Sequence, residues 1–490
     1  MARFERIMLA KPAFYSALGI MVNEIPHGLE YIAAMIRNEV DKVWIIDFCV
    51  EKEKPVELIK RLKPDLIGIS SQMSWHNSLV ELVKAAKKAL SGVKIAVGGY
   101  YPTGFPSIMN LYPDIDYLIS CEGEYPMLEL VMGKPEEEIK NLTYRNGTEV
   151  LTNPNRPLIQ NLDELPYPAR DLRRQITSHL QFPGRIYDVL TTSRGCYGHC
   201  SFCCEPFMSN SHQRYRNPEK VFEEIEWLWN FYDKTPLKIT ISDPNFMGRR
   251  EADVKRVDRL CDFLIASEFD IDFACLTRAD VIARHPSTVT KMIEAGIRTI
   301  EIGVESPTKD VLKNTKKGVS IRQTARAVKT VREAGGLPLG TMVLGFHDQT
   351  EGEIKLYPVF ASKIGLIETA FAFATPLAGT DYFKQMLDEK LITEYDFSRY
   401  DYLNPIVKNL KGIKRSRMLQ LLGYCYGHFY SREKLSEGQK FYLKAQPEGK
   451  PASTVKDLAL FALKALGRHT LKEQFNFLAG FAEGKIASWK

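Results

Sequence analysis

The sequence predicts an α/β protein: two parallel-sheet units in tandem, the first Rossmann-like and the second a partial barrel, followed by a small, mostly helical C-terminal domain. Three observations carry this reading. At 490 residues the chain is too long for a single core. Short β-rich runs alternate with helical patterns over residues 1–150 and again over 186–390, as βαβ units and parallel sheets require. Between them, residues 151–185 carry Asn153-Pro154-Asn155-Arg156-Pro157 and Leu165-Pro166-Tyr167-Pro168. Repeated prolines there make an extended connector rather than another folded unit.

In the first unit the strand candidates are residues 7–10, 43–46, 66–69, 93–97 and 117–119, with helical patterns at 27–37 and 79–90. Ligands of such sheets sit beyond the carboxyl ends of the strands. The informative loops are therefore 11–26, 47–49, 70–77, 98–100 and 122–124. Gly98-Gly99 lets the backbone approach a bulky ligand, although a tight turn uses the same pair. In the second unit, strands are expected at 187–192, 237–241, 272–276, 299–303, 339–345 and 370–374, with helices such as 218–231 and 322–334. That makes six βα units, whose active residues belong at strand C-termini. In residues 391–490, the aromatic run Tyr395 to Tyr402 and a helix at 418–430 with Tyr424, Tyr426, His428 and Tyr430 either line a substrate cavity or form a small helical core. Pro447-Glu448-Gly449-Lys450-Pro451 reads as a linker, and Leu458, Leu460, Phe461, Leu463 and Leu466 as an apolar terminal helix docked on the barrel.

The net charge of +6 is spread along the chain and does not point to nucleic acid. The sequence runs from Met-Ala-Arg-Phe-Glu-Arg straight into a strand pattern, without a signal peptide, and no apolar run approaches the ~18 residues of a membrane span. Nine irregularly spaced cysteines do not make a disulfide framework. Three of them, Cys196, Cys200 and Cys203, follow Arg194-Gly195 in one short loop. Such a loop can wrap three corners of a cubane iron–sulfur cluster and leave one iron open for chemistry. A structural zinc loop completed by His199 or Cys204 is the alternative, but no second cysteine knuckle accompanies it. A cytoplasmic, oxygen-sensitive enzyme fits these features.

The spacing Cys-x3-Cys-x2-Cys, with Phe202 before the third cysteine, resembles the radical S-adenosylmethionine family. Ile25-Pro26-His27-Gly28-Leu29, Gly68-Ile69-Ser70, Gly98-Gly99 and Glu122-Gly123-Glu124 together resemble the cobalamin-binding domain that precedes many radical cores. Pro166-Tyr167-Pro168-Ala169-Arg170 is similar to the segment joining the two. The resemblance implies a 4Fe–4S cluster on Cys196, Cys200 and Cys203, with Phe202 as a backbone contact to adenine. It implies that Asp243 and Asn245 meet the methionine part of S-adenosylmethionine, with Arg278 at its carboxylate and Glu305 and Ser306 at the ribose. An ordinary rim ion pair is the competing reading of Arg278. Around cobalamin it implies Ser70, Gly98, Gly99, Glu122 and Gly123. No Asp-x-His-x-x-Gly motif supplies a histidine to cobalt, so Met73, Trp75 or His76 is expected to cover its lower face without ligation. Methylthiotransferases hold a second cluster on three N-terminal cysteines, and only Cys49 and Cys121 occur here.

In activity, the resemblance implies a cobalamin-dependent radical enzyme. A 5′-deoxyadenosyl radical abstracts hydrogen from an unactivated carbon, and methylcobalamin delivers a methyl group to it. Implied partners are an external electron donor of ferredoxin or flavodoxin type and a substrate. The substrate is a peptide or protein side chain, such as a glutamine of methyl-coenzyme M reductase, or a small molecule. The alternative is non-methylating chemistry of the anaerobic tetrapyrrole cyclase kind.

Overall fold

The computed structural model describes residues 2–13, 25–174, 184–430, 437 and 471–487. The expected linker at 447–451 and the apolar helix at 458–466 lie outside them. The first sheet comprises β1 (Arg6–Lys11), β2 (Lys42–Asp47), β3 (Leu66–Ser70), β4 (Lys94–Gly98), β5 (Tyr117–Ile119), β6 (Leu142–Asn146) and β7 (Glu149–Thr152), in the order β2-β1-β3-β4-β5-β6-β7. β1 to β5 pair in parallel. Their near-continuous apolar runs are buried on both faces, beneath helices such as His27–Ile36 and His76–Ala89. The chain crosses from β1 to either side, so the switch point opens at the carboxyl ends of β1 and β3. β6 and β7 lie beyond the expected strands. They form an antiparallel hairpin on this sheet, turning at Asn146-Gly147 with Gly147 at φ 61°.

The second sheet comprises β8 (Ile186–Leu190), β11 (Leu237–Ile241), β12 (Ile271–Thr277), β13 (Ile297–Glu305), β14 (Leu337–Leu344) and β15 (Glu368–Phe373). Its order is β15-β14-β13-β12-β11-β8, all parallel. Two short strands, β9 (Ser193–Arg194) and β10 (Arg214–Tyr215), pair outside it and brace the base of the cysteine loop. The helix Pro218–Phe231 starts where Asn217 accepts a hydrogen bond from the Glu219 amide and proline occupies the first turn. Tyr424 and Tyr426 of the helix Arg415–Phe429 pack on the core of the second unit. Tyr426 and the following Tyr430 close the free edge of β15, their hydroxyls bonding the amides and carbonyls of Phe371 and Thr369.

The connector is a clasp of buried charge. Arg173 binds both Glu30 of the first unit and Asp188 of β8, while Arg170 binds Glu224 of the helix Pro218–Phe231. All five side chains are buried. Burial alone would raise the carboxyls of Glu30, Asp188 and Glu224, but the guanidiniums hold each below the usual range. A depressed folded pKa contributes stability that is present above the unfolded value near ~4 and is lost as pH falls below it. Removing one partner leaves uncompensated buried charge. The variant Arg173→Met is therefore expected to lose about 3–5 kcal/mol at pH 7 by denaturant unfolding. Its deficit relative to the parent shrinks as pH drops below ~4, because protonation removes the carboxylates' need for a partner.

Candidate active site

The carboxyl edges of the two sheets face each other across a cavity of about 400 Å³. From the first unit it is lined by Lys11, His27, Ser70, Trp75, Gly98, Gly99, Glu122 and Gly123, among others. From the second it is lined by Thr191, Ser193, Arg194, Gly195, Glu205 and Arg214. The backbone geometry follows from glycine. Gly99 has φ 103° and ψ −168°, open essentially to glycine alone, and a Cβ there would lie 2.6 Å from the Ser71 carbonyl. Glu122 ties the edges together: it accepts from the Ile159 amide and from Arg194 and Arg214, which flank the cysteine loop. His27 donates Nδ1–H to Glu30 at 2.9 Å, and its buried Nε2 has no hydrogen-bond partner among the described residues. An orphaned buried nitrogen beside a glycine-rich cradle fits a large ligand that brings its own polar periphery.

At the base of the loop, Cys196 and Cys200 are buried and Cys203 is half-buried. The Gly198 amide donates to Cys196 Sγ at 3.3 Å, and Arg278 Nη1 lies 3.9 Å from Cys200 Sγ. Both donors favour thiolates, as cluster ligands require. His199 is exposed, with Nδ1 bonded to Ser211, and Cys204 stands at the N-cap position of the helix Glu205–Ser209. The loop is clasped from below by Thr315, whose carbonyl accepts the Ser201 amide, and Lys317, whose carbonyl accepts from Arg278. Phe202 packs edge-on against Phe346. At the end of β13, Glu305 occupies the left-handed region at φ 59° and pairs with buried Lys317 at 2.6 Å. Strain of this kind collects at functional strand ends.

The other expected residues make contacts within the protein. Both Asp243 oxygens already accept from Thr192 and Ser193, so this carboxylate orients the entry to the cysteine loop. Burial pushes its carboxyl up. Asn245 is fully buried, accepting from Thr277 and the Arg278 amide and donating to Gln213. Ser306 is held by Tyr357 and Thr308. Arg278 pairs with Asp280 and faces the thiols. Met73 points to the opposite unit, its sulfur accepting from the Ala378 amide at 3.4 Å. His76 is bonded on both ring nitrogens, to Tyr101 and Tyr112. Of the three residues expected below cobalt, only Trp75 lines the cavity. Sequence reasoning missed Glu205 and Arg214, and it named the loops 11–26 and 98–100 without singling out Lys11 or Tyr100. Their signals are position alone: Lys11 ends β1, and Glu205 follows the last cysteine of the loop. Tyr100 donates to Glu205 at 2.7 Å, and burial pushes the Glu205 carboxyl up.

Residues 190–357 match the Radical SAM superfamily and residues 21–131 match the B12 binding domain. An uncharacterised methyltransferase of Pyrococcus horikoshii is 30% identical over 440 residues, covering 88% of this chain and 93% of that protein. The chain belongs to the cobalamin-binding radical SAM methyltransferase family. It is an enzyme whose cofactors are a 4Fe–4S cluster, S-adenosylmethionine and cobalamin. The anaerobic magnesium-protoporphyrin IX monomethyl ester cyclase of Rubrivivax gelatinosus is 22% identical, over 87% of this chain and 77% of the cyclase. In fold, this radical SAM enzyme is similar to the cobalamin-dependent S-adenosylmethionine radical enzyme OxsB (TM-score 0.72, 16% identity), over 99% of this chain and 79% of that one. Among the described residues no helix is long and apolar enough to cross a membrane. Because His27 Nε2 lacks a partner among the described residues, His27→Leu is expected to weaken cobalamin binding about tenfold, the worth of one hydrogen bond to a buried group. Absorbance titration of the apoenzyme checks this.

Proposed function

We propose that this radical SAM enzyme transfers a methyl group from cobalamin to an unactivated carbon of a peptide or protein side chain, a glutamine of methyl-coenzyme M reductase being one example. The single observation that supports methyl transfer is the cavity itself: one side is a glycine cradle suited to a corrinoid, and the other is the rim of the cysteine loop. When bound, the cluster and S-adenosylmethionine supply a 5′-deoxyadenosyl radical, and cobalamin supplies the methyl group.

The chain's own residues do the rest. Cys196, Cys200 and Cys203 would hold the cluster, and Arg278 with the Gly198 amide would stabilise their thiolates. Glu305, fixed by Lys317, would meet the ribose hydroxyls, and the Phe202 backbone the adenine. Ser70, Gly98, Gly99 and Gly123 would let the corrinoid approach the backbone, with Trp75 covering its lower face beside Lys11, whose ammonium sits 5.7 Å from the indole. Half-buried Glu205, hydrogen-bonded to Tyr100, would anchor a polar group of the substrate at the cavity wall. The setting is a reducing, anoxic cytoplasm with a ferredoxin- or flavodoxin-type donor.

The test is to supply candidate peptides with trideuteromethyl S-adenosylmethionine and follow products by mass spectrometry. Methyl transfer requires a trideuteromethyl gain in substrate, with 5′-deoxyadenosine and S-adenosylhomocysteine formed together. The similarity to the Rubrivivax cyclase favours a second reading, oxidative ring formation without methylation. In that case 5′-deoxyadenosine forms while S-adenosylhomocysteine does not.

A further inference from the structure

One side of the cysteine loop faces the cavity, and another reaches the surface through Tyr197. This residue follows Cys196 and lies between two guanidiniums. Arg278, beside the thiols, has its guanidinium carbon 4.9 Å from the ring centroid, and exposed Arg249 has its own at 5.6 Å. The Tyr197 hydroxyl donates to Asp280 at 2.9 Å, and the same carboxylate holds Arg278 and, at 3.6 Å, exposed Arg284. Three guanidiniums therefore cluster around Tyr197 and Asp280, on the side of the loop that leads from solvent to the thiols. Exposed His199 lies within the same loop. A second cationic groove, lined by Lys309, Arg322, Lys329 and Lys363, runs along the outer helices of the barrel. Among the described residues its lining makes no hydrogen bond to the cysteine loop.

We propose that the face formed by Arg249, Tyr197 and Arg284 is the docking surface for an acidic one-electron carrier of flavin or iron–sulfur type. The inference rests on the proposed function, whose cluster must be reduced before S-adenosylmethionine is cleaved. The carrier is oxidised by one electron and the cluster is reduced by one; no protein bond forms or breaks. Exposed guanidiniums steer an acidic partner and set its orientation, while the Tyr197 ring packs the space between that partner and the thiols. Arg249 and Arg284 make no hydrogen bond to the thiols, so their charge acts on the partner rather than on the cluster.

The test uses the reconstituted holoenzyme with flavodoxin as the carrier and dithionite as a small reductant that needs no docking surface. In the doubly reversed Arg249→Glu, Arg284→Glu protein, the Kd for flavodoxin at low salt rises about tenfold or more. The rate of 5′-deoxyadenosine formation at limiting reduced flavodoxin falls in proportion, and the dithionite-driven rate stays within about twofold of the parent. The milder Arg249→Gln, Arg284→Gln pair shows the same split with a smaller effect and a flatter salt dependence. Unchanged flavodoxin affinity in both variants overturns the proposal. So does a dithionite-driven rate that falls in step, which would mean that the arginines act through the loop. The affinity arm needs no turnover, so it decides the docking surface even if the proposed methyl transfer fails.

Discussion

Replacing Cys203 with alanine abolishes 5′-deoxyadenosine formation while leaving the first unit able to bind cobalamin. The expectation follows from the loop geometry. Three thiols sit on one short segment held by the Thr315 carbonyl and by Arg278, and removing one leaves a corner of the cluster without its ligand. Cys204, one residue on, begins the helix Glu205–Ser209, and burial pushes its thiol up to about 12. Iron content and anaerobic absorbance of the reconstituted variant check the loss directly, with turnover expected to fall at least about 10³-fold. Cobalamin affinity within about twofold of the parent locates the damage in the second unit. A variant that retains cluster absorbance would remove Cys203 from the ligand set.

The second large effect belongs to Gly99. A side chain there is opposed twice, by φ and ψ values that only glycine adopts readily and by the Ser71 carbonyl 2.6 Å from the new Cβ. Strain of about 2 kcal/mol moves the loop off its bound geometry, so Gly99→Ala weakens cobalamin binding about 30-fold. Gly147 serves as the matched control. It also has positive φ, at 61°, but no atom lies within 4 Å of its would-be Cβ, and it sits in the β6–β7 turn away from the cavity. Gly147→Ala leaves cobalamin affinity unchanged. Equal losses from both substitutions would assign the effect to general destabilisation instead of the cradle.

Much of the fold is legible in the sequence because local signals agree with one another. The helix at 218–231 begins with Asn217-Pro218 and matches the structure at both ends, since the cap and the proline set its start. The β5 run at 117–119 is bounded by turn residues and appears with the same limits. The β6–β7 hairpin escapes the reading although Asn146-Gly147 marks its turn, because a connector that begins at residue 151 cuts into β7. Strand-end position brings Gly98, Gly99, Glu122 and Gly123 correctly to the cavity. At Asp243, Asn245 and Ser306 the polar side chain at a strand end turns inward and offsets its desolvation through protein partners, which strand-end position alone does not announce. His76 shows the same limit: its loop is the right one, but Tyr101 and Tyr112, 25 and 36 residues away, claim both ring nitrogens. Such partners come together only in three dimensions. The clasp of Arg170 and Arg173 is likewise hidden, since nothing in Pro-Tyr-Pro-Ala-Arg announces three buried carboxylates from distant segments.

Cobalamin bound in this cavity is expected to carry the methyl group. The most direct test is to incubate the reconstituted enzyme anaerobically with cobalamin, reductant and trideuteromethyl S-adenosylmethionine, and to analyse the corrinoid by mass spectrometry. Trideuteromethylcobalamin is the expected product. Cobalamin that binds the enzyme but never acquires the label would contradict that expectation and leave ring formation as the chemistry of this site.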